Sequence, residues 1–419
     1  VTEDIYPKLT DLLSNTEKNS ANNNFRRMKF MSMTKNKEML LIPGPTPVSD
    51  EVYDALAGET YSHTDPRFVA NYKNAIAMTK EMFHCQDGQV FVICGTGTLA
   101  MEMALVNTVK PGERILVLSH GYFGDRYIQL GKVFGIEVDT LQATWGEHVC
   151  LSKLREMLAS KTYKAVTVTH VDTSTGVMAD LEMLVPLIKA SGALLILDGV
   201  CATAAVEENM AKQYADNPEY RIDVVLTGSQ KAIGVPPGIA ILAFGPKALA
   251  ARDAMGNIPA YYTDLKMWQP VMENPSKYFA TPAVNMVNAY EAGMKLVLAE
   301  GLEARYQRHS KTARAMRKAL ASYGMKALAQ EDHAAPTLTC VVYPEGVQDV
   351  AFRNYLAEKG MVISGALAGL AGKAFRLGHM GNTTTAMLEK ALLLMAEALA
   401  DQGIKVSAEK AVEIFRTEI

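Results

Sequence analysis

What this sequence lacks narrows its reading at once. Its five cysteines (85, 94, 150, 201 and 340) contain no C-x-x-C pair, and a chain of 419 residues does not depend on a disulfide framework. The expectation is reduced, buried thiols in a cytoplasmic protein. No uninterrupted apolar run is long enough to span a bilayer, because the best stretch, around Leu194, is broken by Asp198. A net charge of −3 gives no basic field for nucleic acid. There is no internal repeat and no low-complexity tract. Residues 1–36 have no apolar core of a secretory signal, and Glu3, Asp4, Asp11 and Glu17 read against a mitochondrial presequence. Met28, Met31 and Met33 are candidates for alternative starts. This polar stretch is expected to be an arm that orders only against another surface, such as a partner subunit.

The remaining composition is that of a soluble globular protein, 49% apolar and 21% charged. Its length exceeds one typical core and predicts two domains. Short β-rich runs alternate with helical ones from Gln89 to Phe244. The predicted strands are Val90–Cys94, Arg114–Ser119, Glu137–Leu141, Ala165–Thr169, Leu194–Asp198, Val224–Gly228 and Ile239–Phe244. Such alternation predicts an α/β fold, a mainly parallel seven-stranded sheet between helices. The link Ser229–Gly238 is too short for a helical crossover, so the seventh strand is predicted antiparallel. After Pro282 the spacing becomes helical, first over Ala283–Leu298 and again near Glu303–Ala321. Strands at Thr337–Tyr343, Met361–Ser364 and Ala374–Leu377, with helices at Val347–Glu358 and Thr384–Ala400, predict a small C-terminal α+β domain. The expected division is an arm (1–36), a large domain (37–299) and a small domain (300–419).

Two strand ends carry chemistry. Lys231 closes the run Asp223–Lys231, which reads as a buried strand opening into a glycine-containing loop. Asp198 ends the run Ala193–Asp198. Both lie at carboxyl ends of strands, the edge where open α/β sheets bind ligands. A lysine and an aspartate presented together suit a Schiff base to pyridoxal phosphate (PLP), the aspartate pairing with the pyridinium nitrogen. Taken singly, they read first as a surface lysine and a capping aspartate. Gly95-Thr96-Gly97-Thr98 follows a strand and opens a helix, where free N–H groups and the Thr96 and Thr98 hydroxyls suit a phosphate. The spacing Gly95-x-Gly97-x-x-Ala100 also matches a dinucleotide fingerprint. That fingerprint needs an acid about 20 residues on, and the next strand ends at Ser119-His120 instead. A glycine turn without a ligand is the third reading. Arg376 offers a planar donor fork that matches an α-carboxylate, or a surface ion pair.

Read in order, eight motifs resemble the class V aminotransferases of PLP fold type I, nearest the alanine–glyoxylate and serine–pyruvate group. They are Pro43-Gly44-Pro45, Gly95-Thr96-Gly97-Thr98, His120-Gly121-Tyr122-Phe123-Gly124, Asp172-Thr173-Ser174-Thr175-Gly176, Asp198, Gly228-Ser229-Gln230-Lys231, Tyr278-Phe279-Ala280-Thr281-Pro282 and Phe375-Arg376-Leu377-Gly378. The resemblance runs from Leu40 to about Asp401. It implies that Thr96, Gly97, Thr98 and Gln230 hold the PLP phosphate and that Phe123 stacks on the pyridine ring, where several members carry tryptophan. Val200 would contact the opposite ring face, and the Thr173 hydroxyl would bond the 3′ oxygen. Asp198 would pair with the ring nitrogen, and Lys231 would carry the cofactor and move the proton. The backbone of Gly44 would line the substrate pocket, and Arg376 would bind the substrate carboxylate. Tyr278 and Thr281 would reach the phosphate of a partner subunit in a homodimer with shared active sites. Without the motifs, Phe123 and Tyr278 read as core aromatics and Thr173 as part of a polar turn. His63, His170 and His379 receive no role, nor is any metal ligand set assigned. Relatives often carry arginine where Thr64 stands.

The activity implied is transamination between a small amino acid, alanine or serine, and a 2-oxo acid, glyoxylate or pyruvate, ping-pong through pyridoxamine phosphate. Aspartate and 2-aminoethylphosphonate donors stay open. A desulfurase or lyase would use the same core but needs a mobile cysteine in the small domain, and Cys340 lies in the apolar strand pattern Leu338–Val342. An NAD-dependent dehydrogenase lacks its acid. A binding protein without catalysis would not require Lys231, Asp198 and Arg376 together.

Overall fold

Strands fully covered on both faces read as continuous apolar runs, and the central strands here have that character. The computed structural model describes residues 38–419, and the arm expected over 1–36 lies outside them. Seven strands form the main sheet: β1 (Gln89–Cys94), β2 (Arg114–Ser119), β3 (Glu137–Gln142), β4 (Ala165–Thr169), β5 (Leu194–Asp198), β6 (Val224–Gly228) and β7 (Ile239–Phe244). Their order is β1-β7-β6-β5-β4-β2-β3. Every residue of β4, β5, β6 and β7 is buried.

The pairs β2–β3, β2–β4, β4–β5 and β5–β6 are parallel. β7 runs antiparallel to both β1 and β6, as the short Ser229–Gly238 link requires. Consequently the carboxyl ends of β4, β5 and β6 face one edge. In register, Thr169 lies opposite Asp198, and Asp198 opposite Leu226. The helix α1 (Gly97–Val106) packs on β6 and β7, and α2 (Tyr122–Val133) packs on β2 and β3. Both start at that same edge of the sheet.

Past Pro282 the chain forms α3 (Val284–Glu300), turns at Gly301, and continues as α4 (Leu302–Ala321). A four-stranded antiparallel sheet follows, in the order Lys326–Ala327, Leu338–Val342, Ala374–Gly378 and Ser364–Gly365. The segment predicted as one strand over Met361–Ser364 divides, because neighbouring residues find different partners. The Val362 carbonyl accepts the Leu41 N–H (2.9 Å), whereas Ser364 pairs with Arg376. A terminal helix, Ala408–Glu418, was not among the predicted elements. It buries Ala411, Val412 and Phe415 on one face and is capped by Ser407, whose hydroxyl accepts the Lys410 N–H (3.2 Å). Among the described residues no helix is long and apolar enough to cross a membrane.

Candidate active site

Placing a lysine amine and a carboxylate at adjacent strand ends sets two charged groups over the same edge. There, Thr96, Gly97, Thr98, Phe123, Thr173, Asp198, Val200, Gln230 and Lys231 line one cavity. All nine were singled out in the sequence. The cavity also has walls the sequence reading missed, chief among them Arg126 and Cys201.

Asp198 is 2% exposed. One carboxylate oxygen accepts the Val200 N–H (3.0 Å), and its backbone carbonyl accepts the His170 N–H (2.9 Å). No lysine, arginine or histidine forms an ion pair with it among the described residues. Burial therefore pushes the carboxyl up to about 7 against the pull of the Val200 N–H. The carboxylates of Asp172 and Glu208 push it further up, and Arg126 draws it down. His170, left without a role above, is bonded through Nδ1 to Glu208 (2.7 Å) behind this strand end.

Lys231 is bracketed by the Pro43–Thr46 turn. Its amine donates to the Pro43 carbonyl, the Thr46 hydroxyl donates to the Lys231 carbonyl (2.7 Å), and the Thr46 N–H donates to the Gln230 carbonyl (3.1 Å). Gly44 has a φ of +107°, and a Cβ there would meet Lys231 Cδ at 2.5 Å. Glycine is thus required both for the backbone turn and for the passage of the lysine stem. Gly44 touches the lysine rather than lining the cavity itself.

The wall opposite is built from two motifs that support each other. Asp172 Oδ2 accepts the N–H groups of Phe123 and Gly124 (both 3.1 Å), and Ser174 Oγ accepts that of Tyr122 (2.9 Å). Three N–H groups in the first turn of α2 are thereby satisfied, and the Phe123 ring is fixed at the cavity edge. The Thr173 hydroxyl lies 2.7 Å from Cys201 Sγ. At the start of α1, Gly97 has no Cβ where one would meet Val200 Cγ2 at 2.8 Å, which leaves the approach to the helix N–H groups open.

Three expected site residues stand apart from the cavity. Arg376 is half-buried and donates through Nε to the Gly365 carbonyl (3.0 Å). Burial lowers its pKa, and no carboxylate pairs with it among the described residues. Two residues on, the Gly378 N–H donates to Leu41 (2.8 Å), so this strand abuts the segment that receives the Lys231 amine at Pro43. Tyr278 is 62% exposed, and its hydroxyl lies 3.3 Å from that of Thr281, also exposed. The His63 ring lies 5.3 Å from that of Tyr278. His379 is buried, bonded to Thr339 (2.9 Å), and held at about 3 by burial.

Residues 48–378 match the class-V aminotransferases, and the chain belongs to that family. An uncharacterized aminotransferase of Methanocaldococcus jannaschii is 33% identical over 382 residues, covering 89% of this chain and 97% of that one. Alanine–glyoxylate aminotransferase 1 of Saccharomyces cerevisiae is 33% identical over 372 residues, 84% of this chain and 94% of that one. The crystal structure of ureidoglycine–glyoxylate aminotransferase from Bacillus subtilis superposes with a TM-score of 0.84 at 25% identity, covering 91% and 97% of the two chains. The protein is an aminotransferase, and the cofactor of this family is PLP. The residues present fit that group. A buried carboxylate without a cation faces the cavity, the α1 start is open to an anion, and a lysine amine reaches the same space.

The raised Asp198 carboxyl has a measurable consequence. Between its unfolded value near 4 and its folded value of about 7, the native ligand-free protein binds more protons than the unfolded chain. Stability therefore falls as pH rises through that window. Asp198→Asn removes the titration and keeps the Val200 hydrogen bond. In ligand-free protein the variant is expected to melt above wild type at pH 8, with the gain shrinking toward pH 5. A melting difference independent of pH would show that the carboxyl titrates normally.

Proposed function

We propose that the protein transfers an amino group from a small amino acid, alanine or serine, to a 2-oxo acid, glyoxylate or pyruvate. The observation that carries this reading is the meeting of Lys231 and a buried, cation-free Asp198 in one cavity, with the half-buried, unpaired Arg376 on the strand next to Pro43. When bound, PLP supplies an aldehyde carbon that takes up the amino group and a ring that withdraws electrons from the substrate Cα–H bond. Asp198 would hold the proton on the ring nitrogen, and its carboxylate would become ionised once that cation is beside it. Lys231 Nζ would carry the proton from Cα. Phe123 and Val200 would hold the ring flat. Thr96, Gly97, Thr98 and Gln230 would receive the phosphate, and Thr173 the 3′ oxygen. Arg376 would take the α-carboxylate through its donor fork, with the Gly44 turn beside it. The yeast and Bacillus relatives are both named for glyoxylate as partner and differ in the amino donor, which supports glyoxylate more firmly than alanine.

The exposed Tyr278 and Thr281 hydroxyls support a homodimer with shared sites. The two hydroxyls lie 3.3 Å apart, outside their own chain's cavity, and would donate to a phosphate held by a second subunit. Mixing Lys231→Ala with Tyr278→Phe/Thr281→Ala, each inactive alone, is expected to restore activity after subunit exchange. Restored activity requires a site that draws Lys231 from one chain and both hydroxyls from the other. Verified heterodimers without activity would show that the pair does not act across the interface.

Arg376→Lys tests the substrate assignment. Lysine keeps the charge and loses the fork, so kcat/KM for each active amino acid is expected to fall by about 2–5 kcal/mol in transition-state terms, with PLP still bound. Unchanged kcat/KM across a panel of amino donors and 2-oxo acceptors would remove Arg376 from the site.

A further inference from the structure

The cavity has a cation that the reading above does not use. Arg126 lies one helical turn after Phe123 on α2, half-buried, with its guanidinium carbon 4.9 Å from the Phe123 ring centroid. Its Nη1 donates to Thr98 Oγ1 (3.0 Å), the hydroxyl at the start of α1. Among the described residues no carboxylate pairs with it. Its guanidinium faces the cavity with donors still free for an anion, the fork geometry that matches phosphate oxygens.

A charge inventory sharpens this point. Of the residues lining the cavity, only Lys231 and Arg126 are cationic. Lys231 is committed to the cofactor's aldehyde, and Arg376 lies outside the lining. A phosphate carries up to two negative charges, and the start of one helix offers about half a positive charge. The neutral hydroxyls and amide of Thr96, Thr98 and Gln230 supply hydrogen bonds but no charge. Among the lining residues, Arg126 is the remaining group that can neutralise the phosphate.

We propose that Arg126 is the counter-cation of the cofactor phosphate, joining it through Thr98 to the start of α1 while stacking against Phe123. This rests on the reading of Thr96–Thr98 as the phosphate site. It makes Arg126 a binding residue whose two contacts couple the phosphate end of the cofactor to the aromatic over its ring.

The test compares PLP with pyridoxal, which has the aldehyde and ring but no phosphate, by equilibrium binding to the ligand-free protein. Wild type is expected to prefer PLP strongly. Arg126→Met is expected to weaken PLP by about 10- to 100-fold, the scale of a charge-assisted hydrogen bond, and to leave pyridoxal within about two-fold. Arg126→Lys, which keeps the charge, is expected to retain most of the preference and serves if the methionine variant does not fold. Equal weakening of both ligands would assign Arg126 to ring stacking and overturn the proposal. An unchanged preference with a raised KM for aspartate alone would overturn it too, moving Arg126 to a substrate's second carboxylate. A wild type with no preference for PLP would instead sink the phosphate reading of Thr96–Thr98, and the Arg126 inference with it.

Discussion

A carboxylate at the end of a fully buried strand is the constraint around which this site is organised. Removing an ion from water costs several kcal/mol in effective terms unless a counter-charge meets it. Asp198 has a single N–H bond to its carboxylate, acidic neighbours in Asp172 and Glu208, and no paired cation among the described residues. In the ligand-free protein that cost raises the carboxyl to about 7, so it holds its proton at pH values below neutral. A cationic ring nitrogen beside the carboxylate would reverse the balance, so cofactor binding and ionisation are linked. Among the described residues, the groups around this strand end hold its backbone and leave the carboxylate with the Val200 N–H alone. His170 and Glu208 lie behind it, Val200 in front, and β4 and β6 on either side.

The same edge gathers parts that are far apart in the chain. Pro43 receives the lysine amine, and the strand carrying Arg376 leans on Leu41. The lysine and the arginine are therefore connected through one short backbone segment. The Arg376 strand and the Lys231 amine both rest on the Leu41–Pro43 backbone.

The sequence made the strands legible because a sheet buried on both faces leaves unbroken apolar runs, and their polar ends, Asp198 and Ser229-Gln230-Lys231, stand out against them. The antiparallel β7 followed from a link too short to cross. Contacts across long separations were hidden. Nothing local shows that Gly44 exists to let the Lys231 stem pass, or that Asp172 holds the first turn of α2. Arg126 carried a readable signal, three residues after Phe123 and so on the same helical face. It was obscured because a lone arginine on a helix is ordinarily solvated. The division of Met361–Ser364 between two partners depends on the Leu41 segment, which no period in those residues could reveal.

The central claim is that Lys231, among all lysines of the chain, bears the cofactor. Reduction of the PLP-loaded protein with borohydride, followed by peptide mapping, tests it directly. The account predicts a phosphopyridoxyl group on Lys231 in a peptide containing Gly228-Ser229-Gln230, with the label absent after Lys231→Ala. A stoichiometric label on another lysine, or loading without any reducible linkage, would contradict it.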